Sequence, residues 1–158
     1  MNSANLMEML GKQPFVKGFN EKQIGQLAAL AKEVSFDRDH ILFREDEEAT
    51  QFYLIVSGRV VLEIAPPSGA FRVDTLSAGD EFGWSSIMGQ GTVFQGRVLE
   101  DLHALAFDAA ELRALCESDT AFGYALMRRL LSVVADRLHV TRLHVMDYYW
   151  PVAKKAGA

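Results

Sequence analysis

The sequence predicts a mostly β domain with flanking helices: short N-terminal helices, a small sandwich or barrel, and a long C-terminal helix. Three observations carry this reading. Residues 34–107 break into short apolar runs separated by turn signals at roughly ten-residue spacing, the pattern of an all-β unit. Both flanks carry apolar residues at the three- and four-residue spacing of amphipathic helices. Capping sequences, Asn20 with Gln23 and Asp108 with Glu111, open a helix on each side.

In the N-terminal part, residues 1–33, Leu6, Met7, Met9 and Leu10 suggest a short amphipathic segment. The helix opened at Asn20 places Ile24, Leu27, Leu30 and Ala31 on one face, and both helices read as a packing arm. Strands are expected at 41–43, 52–56, 60–65, 71–76, 94–98 and 104–107, with turns at Ser57-Gly58, Pro66-Pro67-Ser68-Gly69, Gly79-Asp80 and 89–91. The Pro-Pro-Ser-Gly stretch reads as a hairpin tip.

Residues 108–149 return to helix. A short helix runs from Asp108 through Cys116, and Ser118 or Asp119 caps a long one over 119–147. Met127, Leu131, Val134, Leu138, Thr141 and Val145 form one stripe along it, and Leu126, Leu130, Val133 and Val140 a second. Either both stripes bury against this domain, or one packs here while the other meets a partner helix. About 28 helical residues span roughly 42 Å, longer than so small a barrel is wide. The second alternative is therefore expected, as a homodimer through the 119–147 helix. Pro151 limits the helix, leaving 150–158 as a tail.

The 158 residues, 49% of them apolar, suit a single domain over 1–149 with its own core. A formal charge of −5 with scattered basic residues argues against a nucleic-acid surface, and the short tail leaves no room for a DNA-reading module, so no direct DNA binding is expected. The lone Cys116 allows no internal disulfide or multi-Cys metal site and fits a reducing compartment. With no signal-peptide pattern and no apolar run near ~20 residues, a cytoplasmic protein with no membrane contact is expected. His40, His103, His139 and His144 are dispersed, and the last two sit at a poor helical spacing for a metal, so no metal site is expected. Neither a nucleophile motif nor an acid–base pair stands out, which argues against an enzyme. Phe52, Tyr53, Phe82, Phe94 and Phe107 read first as core.

Three blocks resemble the cyclic nucleotide-binding domain family. The run Phe52-Tyr53-Leu54-Ile55-Val56-Ser57-Gly58-Arg59-Val60 is similar to its strand, tight glycine turn and returning strand. The run Leu76-Ser77-Ala78-Gly79-Asp80-Glu81-Phe82-Gly83 resembles its second signature. The helix from Arg129 to Thr141 resembles the C-helix of the bacterial cyclic AMP receptor protein. The likeness spans about residues 10–147. It implies a double-stranded β-helix (jelly-roll) barrel, a sensor domain without catalysis, and a cyclic nucleotide or another small-molecule effector as ligand.

The resemblance also assigns a pocket. Backbone N–H groups at a glycine turn can receive a phosphate, and Phe82-Gly83 leads into Trp84, Ser85 and Ser86, where the two serines either donate to a ligand or cap a short helix. The family's ribose-binding Glu falls at Trp84, its phosphate-binding Arg at Phe94, and the adjoining small polar residue at Gln95. Losing the Arg contact costs roughly 1.5–3 kcal/mol and the Glu contact about one more, or two to three orders of magnitude in affinity. The pocket is then self-filled by Trp84 and Phe94, or open to a less anionic ligand. Arg97 lies at an odd offset from Phe94, which in a strand puts it on the opposite face unless a bulge near Gly96 reverses it. It is either a substitute ligand contact, giving a working cyclic nucleotide sensor, or a solvated strand residue. Arg137 occupies the helix position that faces the missing Glu, with a cation–π contact to Trp84 as the expected substitute. Thr141 matches a position that contacts adenine. The remaining alternative is an adaptor whose long helix docks a partner protein.

Overall fold

The computed structural model describes residues 2–64, 69, 71–92 and 94–156, and side chains as far as residue 147. It opens with α1 (Ser3–Gly11), a single 3-10 turn (Pro14–Val16) and α2 (Glu21–Leu30). The expected capping box on α2 is present: the Asn20 side chain accepts from Gln23 N, and the Gln23 side chain accepts from Asn20 N. Six strands follow, interrupted by one short helix: β1 (Lys32–Phe36), β2 (Ile41–Phe43), β3 (Gln51–Ile64), β4 (Phe71–Leu76), β5 (Glu81–Phe82), α3 (Trp84–Ile87) and β6 (Gln95–Asp108). The chain closes with α4 (Ala109–Ser118) and α5 (Thr120–Ala156).

Strand boundaries differ from the sequence reading. The runs at 52–56 and 60–65 are one strand, β3, and those at 94–98 and 104–107 are one strand, β6. Ser57-Gly58 is not a reversal but an irregularity inside β3, where pairing with β6 shifts register on both sides of Ser57. Gly58 sits at φ +92, and a Cβ there would lie 2.2 Å from Asp101 O, so only glycine lets the two long strands stay in contact. β1 and β5 were not expected. β1 mixes polar and apolar residues without clean alternation, and two-residue β5 is too short to show a period. The Pro-Pro-Ser-Gly tip lies outside the described residues apart from Gly69, while β3 and β4 pair antiparallel beside it as far as Ile64 and Phe71.

The strands form an antiparallel sheet in the order β1-β6-β3-β4, with β2 also on β6 and β5 also on β3. Among the described residues β4 and β1 do not pair, so the expected jelly-roll barrel is not closed. The open side faces α5, whose Val134, Leu138 and Val140 wall the interior there. One apolar cluster fills the inside of the sheet, around Ile55, Val60, Leu62, Leu76, Phe82 and Val98. A second joins the helices to the sheet, with Phe15, Phe52, Phe107 and Phe122 fully buried. Each such ring contributes on the order of 2–3 kcal/mol by leaving water.

Asp108 caps α4, accepting from Glu111 N, and α4 continues to Ser118 rather than ending at Cys116. Asp119 then caps α5, accepting from Phe122 N at 3.2 Å. The two α5 stripes separate as far as Val133, beyond which Val140 of the second stripe is 41% exposed. Leu126, Leu130 and Val133 are buried, whereas Leu131 and Leu138 are each 70% exposed and Met127 and Val145 are also exposed. Helical backbone continues past Pro151 to Ala156, replacing the expected tail. A proline removes one backbone hydrogen bond and bends a long helix without necessarily ending it. Among the described residues no helix is long and apolar enough to cross a membrane.

Candidate functional site

A cavity of about 300 Å³ lies between the inner face of the sheet and α5. Strand alternation decides what faces it. In the β3–β6 pairing Val60 opposes Val98 and Leu62 opposes Gly96, and this face looks inward, with Leu62 on the cavity wall. Gly96 leaves room for the Phe43 ring, which an added Cβ would meet at 2.6 Å. Phe94 shares that inward direction and lines the cavity.

The other face of the same strands holds Val61, Glu63, Gln95 and Arg97. Arg97 grips the buried Glu63 carboxylate through Nε at 3.0 Å and Nη2 at 3.3 Å, and also reaches Asp39. Gln95 donates to the same carboxylate at 3.0 Å. The Arg97 hydrogen bond holds the Glu63 carboxyl below the usual carboxylate range. Arg97 and Gln95 are therefore not cavity residues. The local register shift falls between Ile41 and Phe43 of β2 and leaves the facing of Arg97 unchanged.

At the cavity's other end, β5 turns into α3 through Gly83, which adopts φ +82. A Cβ there would lie 2.5 Å from Gln51 O, so packing against β3 alone accounts for this glycine. Ser86 does not line the cavity. Its hydroxyl and its backbone N–H both donate to Gly83 O, and its own carbonyl accepts from Arg113 Nη1 at 2.6 Å, which ties α3 to α4. Trp84 and Ser85 do line it, and the Trp84 ring also packs against the helix-side core.

From α5, Arg137 and Thr141 reach the cavity. Arg137 does not stack on Trp84. Its Nη2 donates to the Glu81 carbonyl and lies 3.9 Å from the Glu81 carboxylate. Burial pushes the Glu81 carboxyl up, against the pull of Arg137. The Thr141 hydroxyl donates to Arg137 O at 2.9 Å. Of the ten residues singled out from sequence, Phe82, Gly83, Trp84, Ser85, Phe94, Arg137 and Thr141 come together, while Ser86, Gln95 and Arg97 do not.

The sequence reading missed Phe43, Asp74, Gln90, Leu138 and His144, which also line the cavity. Asp74 carried a usable signal. Counting back by two from buried Leu76 places it on the inward face, and it pairs with Leu62 across the ladder. Among the described residues no group of three or more His, Cys, Asp or Glu side chains is arranged to hold a metal ion.

With this geometry in hand, comparison with known proteins is decisive at the family level. The model of the cyclic nucleotide-binding domain matches residues 33–119, more than half of the chain. The chain belongs to the cyclic nucleotide-binding domain family. The CRP-like cAMP-activated global transcriptional regulator of Mycobacterium tuberculosis (strain ATCC 25618 / H37Rv) is 28% identical over 142 residues, covering 89% of this chain. The chain matches only 62% of that regulator's length. A cyclic nucleotide-binding domain from Methylobacillus flagellatus KT superimposes with a TM-score of 0.76 at 19% identity, covering 94% of this chain and 83% of that one. The N-terminal domain of a transcriptional regulator from Streptomyces coelicolor A3(2) does so with a TM-score of 0.67 at 24% identity, covering 84% and 94%. These two likenesses establish shared fold. Within the family match, the cavity is the domain's candidate ligand site.

Proposed function

We propose that the chain is a non-catalytic regulatory domain whose phosphate cassette has lost its charged anchors, so that it does not hold cyclic AMP or cyclic GMP as its family does. One observation carries this reading. Trp84 and Phe94, at the two anchor positions, both face the cavity, while the neighbouring guanidinium groups are engaged elsewhere, Arg97 by Glu63 and Arg137 by the Glu81 carbonyl. Asp74 adds a carboxylate to the lining, which opposes a phosphodiester. A cavity of about 300 Å³ favours an open pocket for a less anionic ligand over a self-filled one. The reading as a sensor that uses Arg97 loses support, because that side chain is on the opposite face.

The test restores the anchors. The double variant Trp84→Glu/Phe94→Arg is expected to gain two to three orders of magnitude in cyclic AMP affinity over the wild type, about 3–4 kcal/mol, by calorimetry. Equal affinity of the two proteins would show that these positions do not govern binding.

A second element of the proposal is a homodimer through α5. It rests on the stripe of Met127, Leu131, Leu138 and Val145, which is apolar and exposed although Leu138 also edges the cavity, while Leu126, Leu130 and Val133 are buried. We assign the domain to the cytoplasm on its unpaired Cys116.

A further inference from the structure

We infer that the cavity binds a small aromatic ligand carrying an ammonium or N–H donor group, seated among Phe43, Trp84 and Phe94 and paired with Asp74; this rests on the reading that the cassette has lost its anion anchors. The aromatic side chains come from three different places: β2, the start of α3 and the segment before β6. Phe82, fully buried and stacked on Tyr53, backs this wall with its ring centroid 6.1 Å from that of Phe43. Faces of aromatic rings are electron-rich, so such a wall attracts planar rings and cations and offers an anion nothing.

The polar groups point the same way. Asp74 Oδ1 accepts from Thr75 N at 2.8 Å, and among the described residues the Asp74 carboxylate has no cationic partner. Its position opposite Leu62 directs it inward, and it is only partly exposed. Arg137, the guanidinium on the wall, has its charge met locally by the carbonyl and carboxylate of Glu81. An ammonium is thus offered a free carboxylate, whereas a carboxylate or phosphate is offered a committed arginine. The volume of about 300 Å³ is at the lower end for ligand cavities and admits one fused bicyclic ring.

The experiment is calorimetric titration of the full chain with three probes on the same ring, naphthylmethylamine, naphthylmethanol and naphthoate, with cyclic AMP in a parallel run. Naphthylmethylamine is expected to bind at least about tenfold more tightly than naphthoate. Asp74→Asn, which keeps size and the acceptor to Thr75 N, is expected to abolish the amine's advantage over the alcohol while leaving the alcohol's affinity in place. Trp84→Ala is expected to weaken all three. Equal binding of the probes, tighter binding of naphthoate, no binding of any probe, or an amine preference that survives Asp74→Asn overturns the inference. Those results with cyclic AMP silent leave the reading of the cassette standing. Micromolar cyclic AMP binding overturns that reading instead.

Discussion

Gly83, Trp84, Phe94 and Arg97 divide the labour around the cavity by which face of the chain each occupies. Gly83 fits a left-handed turn against Gln51 O, so its presence reports backbone packing and says nothing about a ligand. Phe94 and Arg97, three apart on neighbouring chain, point to opposite faces, which alternation alone foretold. Ser86 and Gln95 were legible only as polar groups near a turn. Their commitment to Gly83 and Glu63 depends on contacts that local sequence does not encode. Asp74 could have been found: strand alternation from Leu76 puts its carboxylate on the inward face, where a packed core would not hold a charge. The Arg97–Glu63 pair makes a prediction of its own. Arg97→Ala leaves a carboxylate at 4% exposure with a hydrogen bond from Gln95 and the more distant charge of Arg72, and is expected to cost about 2–3 kcal/mol at neutral pH by urea unfolding. Because Arg97 lowers the Glu63 pKa in the folded state, the pair's contribution is fully present above the ordinary carboxylate value and is lost as pH falls below it and through the lowered folded-state value. The gap between wild type and variant is therefore expected to close below about pH 4. A gap independent of pH would assign the effect to packing alone.

Among the elements, the helices were the most legible in sequence because caps and apolar period agree. Asn20, Asp108 and Asp119 each cap the helix that the sequence assigned to that place, with Asp119 the one of two alternatives used. The strands were less so. Ser57-Gly58 has the composition of a turn, yet the glycine serves a close crossing with β6 and the strand runs through. Short runs therefore merged into two strands that span the sheet. The α5 stripes carry the test at this scale. Leu131→Glu with Val145→Glu changes two positions that are 70% and 52% exposed and lie off the cavity wall, so folding stability is expected to shift by no more than about 0.5 kcal/mol per site. Light scattering is expected to show a dimer for the wild type and a monomer for the double variant. A monomeric wild type would remove the dimer from the account, and a dimeric variant would move the interface off this stripe.

In the molecule as a whole, one open antiparallel sheet and one long helix enclose a cavity whose walls belong to six elements and the loops between them. The family was legible from three sequence blocks, because those blocks contain the glycines and strand pairs that build the frame. The ligand was not, because frame and lining are separable: the glycine turn at Gly83 is explained by packing against Gln51 O, whereas Trp84 and Phe94 on the cavity wall are set by side chains that the frame does not dictate. The electrostatic result is a pocket with a free carboxylate and no uncommitted arginine among the described residues. The most direct measurement is calorimetric titration of the wild-type chain with cyclic AMP and cyclic GMP. The account predicts dissociation constants no tighter than about 0.1–1 mM for either. A micromolar constant for either nucleotide would contradict it.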